Sequence, residues 1–413
     1  MLDIETTGLT PARSKFVLGG LLTFAEDCTT LKQFFAESAA EESRLLSLYL
    51  AEALQYDALI TYNGARFDIP FLRERAERLG LPAPDFPYNL DLYLVLNRFS
   101  ALRKVLPNLK QKTVEEFMGL WPLRKDDISG AESARLYQEY LRLSKNSIRL
   151  ESNANLESST QLEIGVNLEE SAWLENSARL ENIAAKAALE AMLLHNRDDV
   201  LQLARLLPVL EKTDFHSAMY AFGFPVLTAG AAHDAPANPA AGAGCDAFET
   251  PITGARCASP EKPPVGEEPF PAANQGWRVA LAVEKIAIDA EFLTVSGRQF
   301  KGKNNAAVDF ISYGAFDDDL FVQFEKSGER FVLRFRLLRK SGLALLDLTK
   351  RGAPVREKMR PYPNCNNDFL ILEKQKRISY TEINAFVSFF LESLVTSRPF
   401  QSAALPHTPL PPV

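Results

Sequence analysis

The sequence predicts an α/β layer fold followed by a separate, smaller β-rich α+β domain, and three observations carry that expectation. Through the first 143 residues, short β-like runs alternate with amphipathic helical ones. From Leu227 to Gln275 the chain turns to Ala, Pro, Gly and Ser, as in APANPAAGAG, the composition of a linker. Beyond Trp277 strand patterning returns, most clearly in ERFVLRFRLLRK. The predicted organisation is a domain over 1–226 with a repeat insertion at 145–183, a linker at 227–275, a second domain at 276–397 and a disordered tail at 398–413.

The first strands are expected at Leu2 to Glu5, Phe16 to Phe24, Leu31 to Phe35 and Ala58 to Tyr62. Between the last two, Ser38 followed by Glu41 reads as a capping box that opens a helix with Leu45, Leu46, Tyr49 and Leu50 on its buried face. Pro70 to Leu79 reads as a helix stopped by Gly80. A further helix is expected from Ala184 to Leu207, burying Leu193, Leu194, Val200, Leu201, Leu203 and Ala204. In the second domain Phe331, Leu333, Phe335 and Leu337 share one strand face, with Arg334 and Arg336 on the other. A helix from Thr381 to Leu394 closes it.

Leu-Glu recurs at Leu150, Leu156, Leu162, Leu168, Leu174 and Leu180, a period of six residues. On a helix that step rotates the leucine by about 240°, so no single face is specified. A hexad stack of parallel strands would need more than the roughly two turns these copies supply. The expected reading is a low-complexity insertion in a surface loop, with a partner-binding stalk as the functional alternative.

The 413 residues are 46% apolar and 24% charged, enough for a buried core and unlike a disordered chain. No apolar run approaches the roughly eighteen residues of a membrane span, and MLDIETTGL lacks the regions of a signal peptide. A cytoplasmic protein that does not engage a membrane is expected. Cys28, Cys245, Cys257 and Cys365 are dispersed without a CxxC and are read as free thiols. The net charge of −7 argues against coating nucleic acid by bulk electrostatics. Gly276 to Phe400, however, holds twenty Lys and Arg against fifteen Asp and Glu. Any surface that attracts a phosphate backbone is expected there, with Arg334, Arg336, Arg339, Lys340, Lys350, Arg351, Arg356, Lys358 and Arg360 in view; a solvated charged face accounts for the same residues.

Three stretches concentrate acids. In LDIETTGL, Asp3 and Glu5 alternate with Leu2 and Ile4, so both carboxylates leave one face of the strand. Like charges that close repel unless a divalent cation neutralises them, although a solvent-facing strand would also tolerate the pair. In ITYNGARFDIPFL, Asn63 and Gly64 form a turn and Asp68 stands at the next helix entrance, either as a ligand or as a cap. In LLHNRDDVLQLARLL, His195 and Asp199 lie one turn apart on one helix face, placed to hold a metal and take up a proton, or simply to hydrogen-bond at the surface. Together these residues suit two hard divalent cations, Mg²⁺ or Mn²⁺, and phosphoryl-transfer chemistry.

The ordered motifs D-x-E-T-T-G-L, N-G-x-x-F-D and H-N-x-x-D-V resemble the DEDD 3′–5′ exonuclease superfamily. Within it, the runs YDALITYNGARFDIPFLRERA, KTVEEFMGL and RKDDISGAESARLYQEYL resemble the bacterial YprB-like ribonuclease H-like domain. The resemblance covers Met1 to Leu143 and Ala184 to Val209. It implies a ribonuclease H-like fold, a mixed five-stranded sheet flanked by helices. Asp3, Glu5, Asp68 and Asp199 would be metal ligands, His195 the general base, and Thr7 and Asn63 would contact substrate or steady the site. Asp198, about 100° around the helix from Asp199, is not expected to bind metal. The His195 to Asp199 interval of four is typical of the superfamily's tyrosine branch, its histidine branch using five. The first strand of such a sheet also normally starts several residues earlier, so an upstream start or a truncated form is expected.

The function these features and the resemblance imply is metal-dependent hydrolysis of phosphodiester bonds in single-stranded RNA or DNA, 3′–5′ exonucleolytic and by two cations. The alternatives are a nucleic-acid-binding or scaffold protein that keeps the fold without turnover, and an endonuclease using the same site. No motif here spells out a preference between RNA and DNA.

Overall fold

The computed structural model describes residues 1–24, 29–56, 58–126, 128–164, 168–229, 255–257, 277–299, 319–324, 329–366 and 368–396. The expected tail and most of the expected linker lie outside them. Two compact units form, Met1–Thr213 with Asp234–Gln275 and Asp214–His233 with Gly276–Val413. The boundary expected at residue 226 falls earlier. Helix Phe215–Phe222 and strand Phe224–Ala229 belong to the second unit, because that strand pairs with Trp277–Ile288 and sets Val226 opposite Leu281.

In the first unit, β1 (Leu2–Thr6), β2 (Phe16–Phe24) and β3 (Thr29–Phe35) form an antiparallel ladder, extended by the short strand Ala255–Cys257. Its register places Asp3 opposite Gly20 and Gly20 opposite Gln33, one polar row across three strands. The Met1 ammonium donates to the Leu22 carbonyl at 2.7 Å, so the ladder runs to the first residue. Then follow α1 (Glu42–Ala53), β4 (Ala58–Thr61), α2 (Asp68–Arg78) and β5 (Tyr88–Asp91). The β4 and β5 strands pair in parallel with each other and make no ladder with β1. The five strands expected in one mixed sheet are thus divided. The reason is local: the Ile4 N–H, which points away from β2, is accepted by the Asp68 carboxylate instead of a strand carbonyl.

Helix α1 begins at Glu42, four residues after Ser38, so the expected capping box is a preceding turn in which Ser38 Oγ reaches Glu41 Oε1 at 3.4 Å. Helix α2 begins at Asp68 and ends before Gly80, whose φ of 69° only glycine adopts freely. Next come α3 (Leu92–Phe99), α4 (Leu102–Val105) and α5 (Gln111–Phe117), and then the long helices α6 (Gly130–Ile164) and α7 (Leu168–Arg205). The hexad segment expected in a surface loop is helical wherever described, and α7 starts sixteen residues before the expected Ala184. Its Leu, Glu, Ala, Arg and Gln are good helix formers, and propensity prevails over the missing single face. The winding stripe is visible: Leu174 is 8% exposed and Leu180 67%. Asn182 Nδ2 donates to Glu151 Oε1 at 2.9 Å across the pair.

The second unit is built from two antiparallel sheets, with helices Phe215–Phe222, Ala353–Met359 and Tyr380–Thr396. In the strand Arg330–Arg336, Phe331, Leu333 and Phe335 are buried and the arginines alternate outward. The Phe335 ring packs edge-on against Phe386 and Phe390 of the last helix, with centroids 5.2 and 5.0 Å away. Arg334 covers the outward Phe292 ring at 4.1 Å. No helix among the described residues is long and apolar enough to cross a membrane.

Candidate functional site

The site forms where α7 crosses the polar row of the sheet. Asn196 donates from Nδ2 to Asp3 Oδ2 at 2.9 Å and accepts from Gln33 Nε2 at its Oδ1, 3.1 Å away. Gly20 between them leaves room for that amide, since a Cβ there would fall 2.4 Å from Asn196 Oδ1. The helix is thereby registered on the strands, and His195 and Asp199 are delivered beside Glu5. His195 Nε2 is 3.6 Å from Glu5 Oε1 and 3.6 Å from Asp199 Oδ2. One ligand atom from each of Glu5, His195 and Asp199 lies within 4.8 Å of the others.

Asp3, Glu5, Asp68 and Asp199 act on one another electrostatically. Burial, then Asp199, Glu5 and Asp68, push the Asp3 carboxyl well above the carboxylate range, against the hydrogen bond from Asn196. Burial raises Glu5 to about 7, with His195 lowering and Asp199 raising it. Asp68 is also pushed up to about 7 by burial, relieved by its own N–H and that of Ile4 and raised again by Asp91 and Asp199. Among the described residues no lysine or arginine pairs with Asp3, Glu5 or Asp68.

The buried charges that surround His195 and Asp199 were not legible in the sequence. Arg124, whose side chain is fully buried, binds Glu115 through two nitrogens at 2.8 and 2.7 Å, reaches Asp199 Oδ1 at 2.6 Å and also pairs with Asp126. Asp126 Oδ2 meets His195 Nδ1 at 2.6 Å and Lys112 Nζ at 3.0 Å. Burial pushes the Asp126 carboxyl up, but His195 and Arg124 outweigh it and hold it well below the usual range. Burial opposes charge on His195, while Asp126, Asp199 and Glu5 raise its pKa above the ordinary value. Asp198 turns away from the acids and accepts the Lys125 and Asp126 N–H groups at 2.5 and 3.0 Å, anchoring this segment.

Thr7 and Asn63 stand apart from the cluster in their contacts. Thr7 Oγ1 accepts the Lys15 N–H at 2.9 Å, closing a loop. Asn63 holds a left-handed turn, φ 64°, and donates its N–H to Asp91 Oδ1 at 2.9 Å. In the second unit, several basic residues considered for a phosphate backbone are engaged by acids: Arg339 with Glu373, Lys350 with Asp319, Arg356 with Asp368 and Lys358 with Glu392, at 2.7, 2.6, 3.2 and 3.0 Å.

The raised carboxyls set a direction for pH. Unfolded, Glu5 and Asp68 titrate near about 4; folded, they hold protons to about 7. Between those values the native state binds more protons, so stability falls as pH rises through that window and levels above it. Cation-free protein is expected to melt at a higher temperature at pH 5 than at pH 8, with Mn²⁺ restoring stability at pH 8. A melting temperature that climbs with pH without added cation would contradict the charge arrangement.

Residues 1–152 match the family model of the RNase_H superfamily. No curated protein matches the chain. The match supports an RNase H-like domain, spanning the elements that carry Asp3, Glu5 and Asp68, and it suggests nuclease-type hydrolysis of nucleic acid. Helix α7, with His195 and Asp199, lies beyond the matched residues.

Proposed function

We propose that the first unit is a divalent-cation-dependent nuclease that shortens single-stranded nucleic acid from its 3′ end. The observation that supports this reading is that Glu5 and Asp199, with His195, offer ligand atoms within 4.8 Å of one another, while Asp3 and Asp68, from the same strand and from a helix start, act on them electrostatically. Three of the four acids have no lysine or arginine partner among the described residues, a crowding of buried carboxylates that hard cations fit. Those four residues would hold Mg²⁺ or Mn²⁺, and the cations would supply charge stabilisation to the phosphoryl group under attack.

The chain's own contribution is placement. Asn196, itself held by Gln33, donates to Asp3, the Ile4 N–H donates to Asp68 and Arg124 restrains Asp199, so the acids need little rearrangement on loading. The direction of digestion rests on the resemblance of the three motifs to 3′–5′ exonucleases. A non-catalytic nucleic-acid-binding protein on the same fold is the competing reading, favoured by the guanidinium of Arg124 on Asp199.

Matched RNA and DNA strands labelled at either end separate these readings. With Mn²⁺ or Mg²⁺, a 5′ label is expected on a descending ladder, and a 3′ label in mononucleotide from the outset. Strands that are bound but never shortened with either cation support the competing reading. Cleavage of closed circles would make the enzyme an endonuclease.

A further inference from the structure

His195 is 3% exposed, and its two ring nitrogens have different surroundings. Nδ1 is spoken for by Asp126 Oδ2 at 2.6 Å. Among the described residues Nε2 has no hydrogen bond, and it faces Glu5 Oε1 and Asp199 Oδ2, both at 3.6 Å. Neighbouring donors around one small divalent cation stand roughly 3.0 to 3.4 Å apart, given metal–ligand distances of about 2.1 Å. The two separations from Nε2 are thus a few tenths of an ångström wider than in a loaded site, and all three atoms lie within 4.8 Å of one another. Asp199 presents a single oxygen, because Arg124 holds the other at 2.6 Å. An imidazole that gives one nitrogen to a carboxylate and aims the other at acidic oxygens has the arrangement of a metal-bound histidine.

We propose that His195 is itself a cation ligand, its Nε2 joining Glu5 and Asp199, with Asp126 as the residue that positions the ring. The inference rests on the cation-dependent reading above and replaces the role of proton acceptor expected for His195. Its consequence is selectivity. A mixed nitrogen and oxygen set favours first-row transition cations over Mg²⁺, which prefers oxygen. Asp126 acts through His195: with its oxygen fixed on Nδ1–H, the lone pair on Nε2 is left for the cation.

The test uses the untagged full chain, which contains four histidines, and Mn²⁺ alone. Calorimetry is expected to give at least about tenfold tighter binding of Mn²⁺ than of Mg²⁺. Electron spin echo modulation of the bound Mn²⁺ should show coupling to one imidazole nitrogen. That coupling should change frequency on ¹⁵N-histidine labelling, which needs no variant, and should vanish in His195→Gln. Asp126→Asn is expected to weaken Mn²⁺ by about 10- to 100-fold. Bound Mn²⁺ without nitrogen coupling, coupling that survives in His195→Gln, or no Mn²⁺ binding at all overturns the assignment. Nitrogen-coupled Mn²⁺ on a protein that leaves every strand intact supports it while overturning the nuclease reading.

Discussion

Arg124→Met is expected to destabilise the first unit by about 3–5 kcal/mol, the cost of stripping the partner from a buried ion pair. The guanidinium is enclosed completely and answers Glu115, Asp126 and Asp199 together. Glu115 is equally enclosed, so its carboxylate has no route to water when the arginine goes. Against a total stability of about 5–15 kcal/mol, such a loss leaves a substantial unfolded population. Urea unfolding followed by circular dichroism measures it directly. Adding Glu115→Gln to the same chain should recover part of the loss, because the stranded charge disappears with it. A cost below about 1 kcal/mol for the single variant would mean that the arginine does not neutralise these acids in solution.

Asp3→Asn should separate stability from activity. Hydrolysis is expected to fall on the order of a thousandfold, because a ligand in the two-cation arrangement supplies several kcal/mol of transition-state stabilisation. Cation-free protein at pH 8 should nevertheless melt at an equal or higher temperature. The Asp3 carboxylate is crowded by burial and by Asp199, Glu5 and Asp68, and the amide relieves that repulsion at nearly constant shape. Rates on an end-labelled strand and a parallel melting curve give both numbers. Unchanged hydrolysis would remove Asp3 from the chemistry, whereas a lower melting temperature would show that its charge is compensated.

What could be read from the sequence was whatever a single element encodes. The alternation in Arg330–Arg336 declares which side chains are buried, the unbroken apolar run of Phe16–Phe24 declares a strand buried on both faces, and Gly80 marks the end of α2. The acidic residues of β1 were legible for the same reason, since two positions on a strand share a face by geometry alone. Asp126 was not. In the run RKDD it looks like solvated charge, and its burial follows from Glu115, eleven residues earlier, and from His195, far along the chain. Gln33 was similarly hidden, because its role exists only once the register sets it beside Gly20. The hexad helices are hidden for a different reason: a six-residue period specifies no single helical face, whereas the helix propensity of the residues themselves prevails.

The adjacent glycines of β2 are bare on both sides of the sheet. A Cβ on Gly19 would stand 2.4 Å from the Tyr49 ring of α1, just as one on Gly20 would strike Asn196 of α7. The Tyr49 hydroxyl reaches through to the Asp3 and Gly20 carbonyls at 3.3 and 3.4 Å. The partition between the two helical layers is therefore one peptide thick. A methyl group grown on the far side, nowhere near the carboxylates, would be transmitted to them as a shove, so the most damaging lesions in this protein include ones that touch none of its acids.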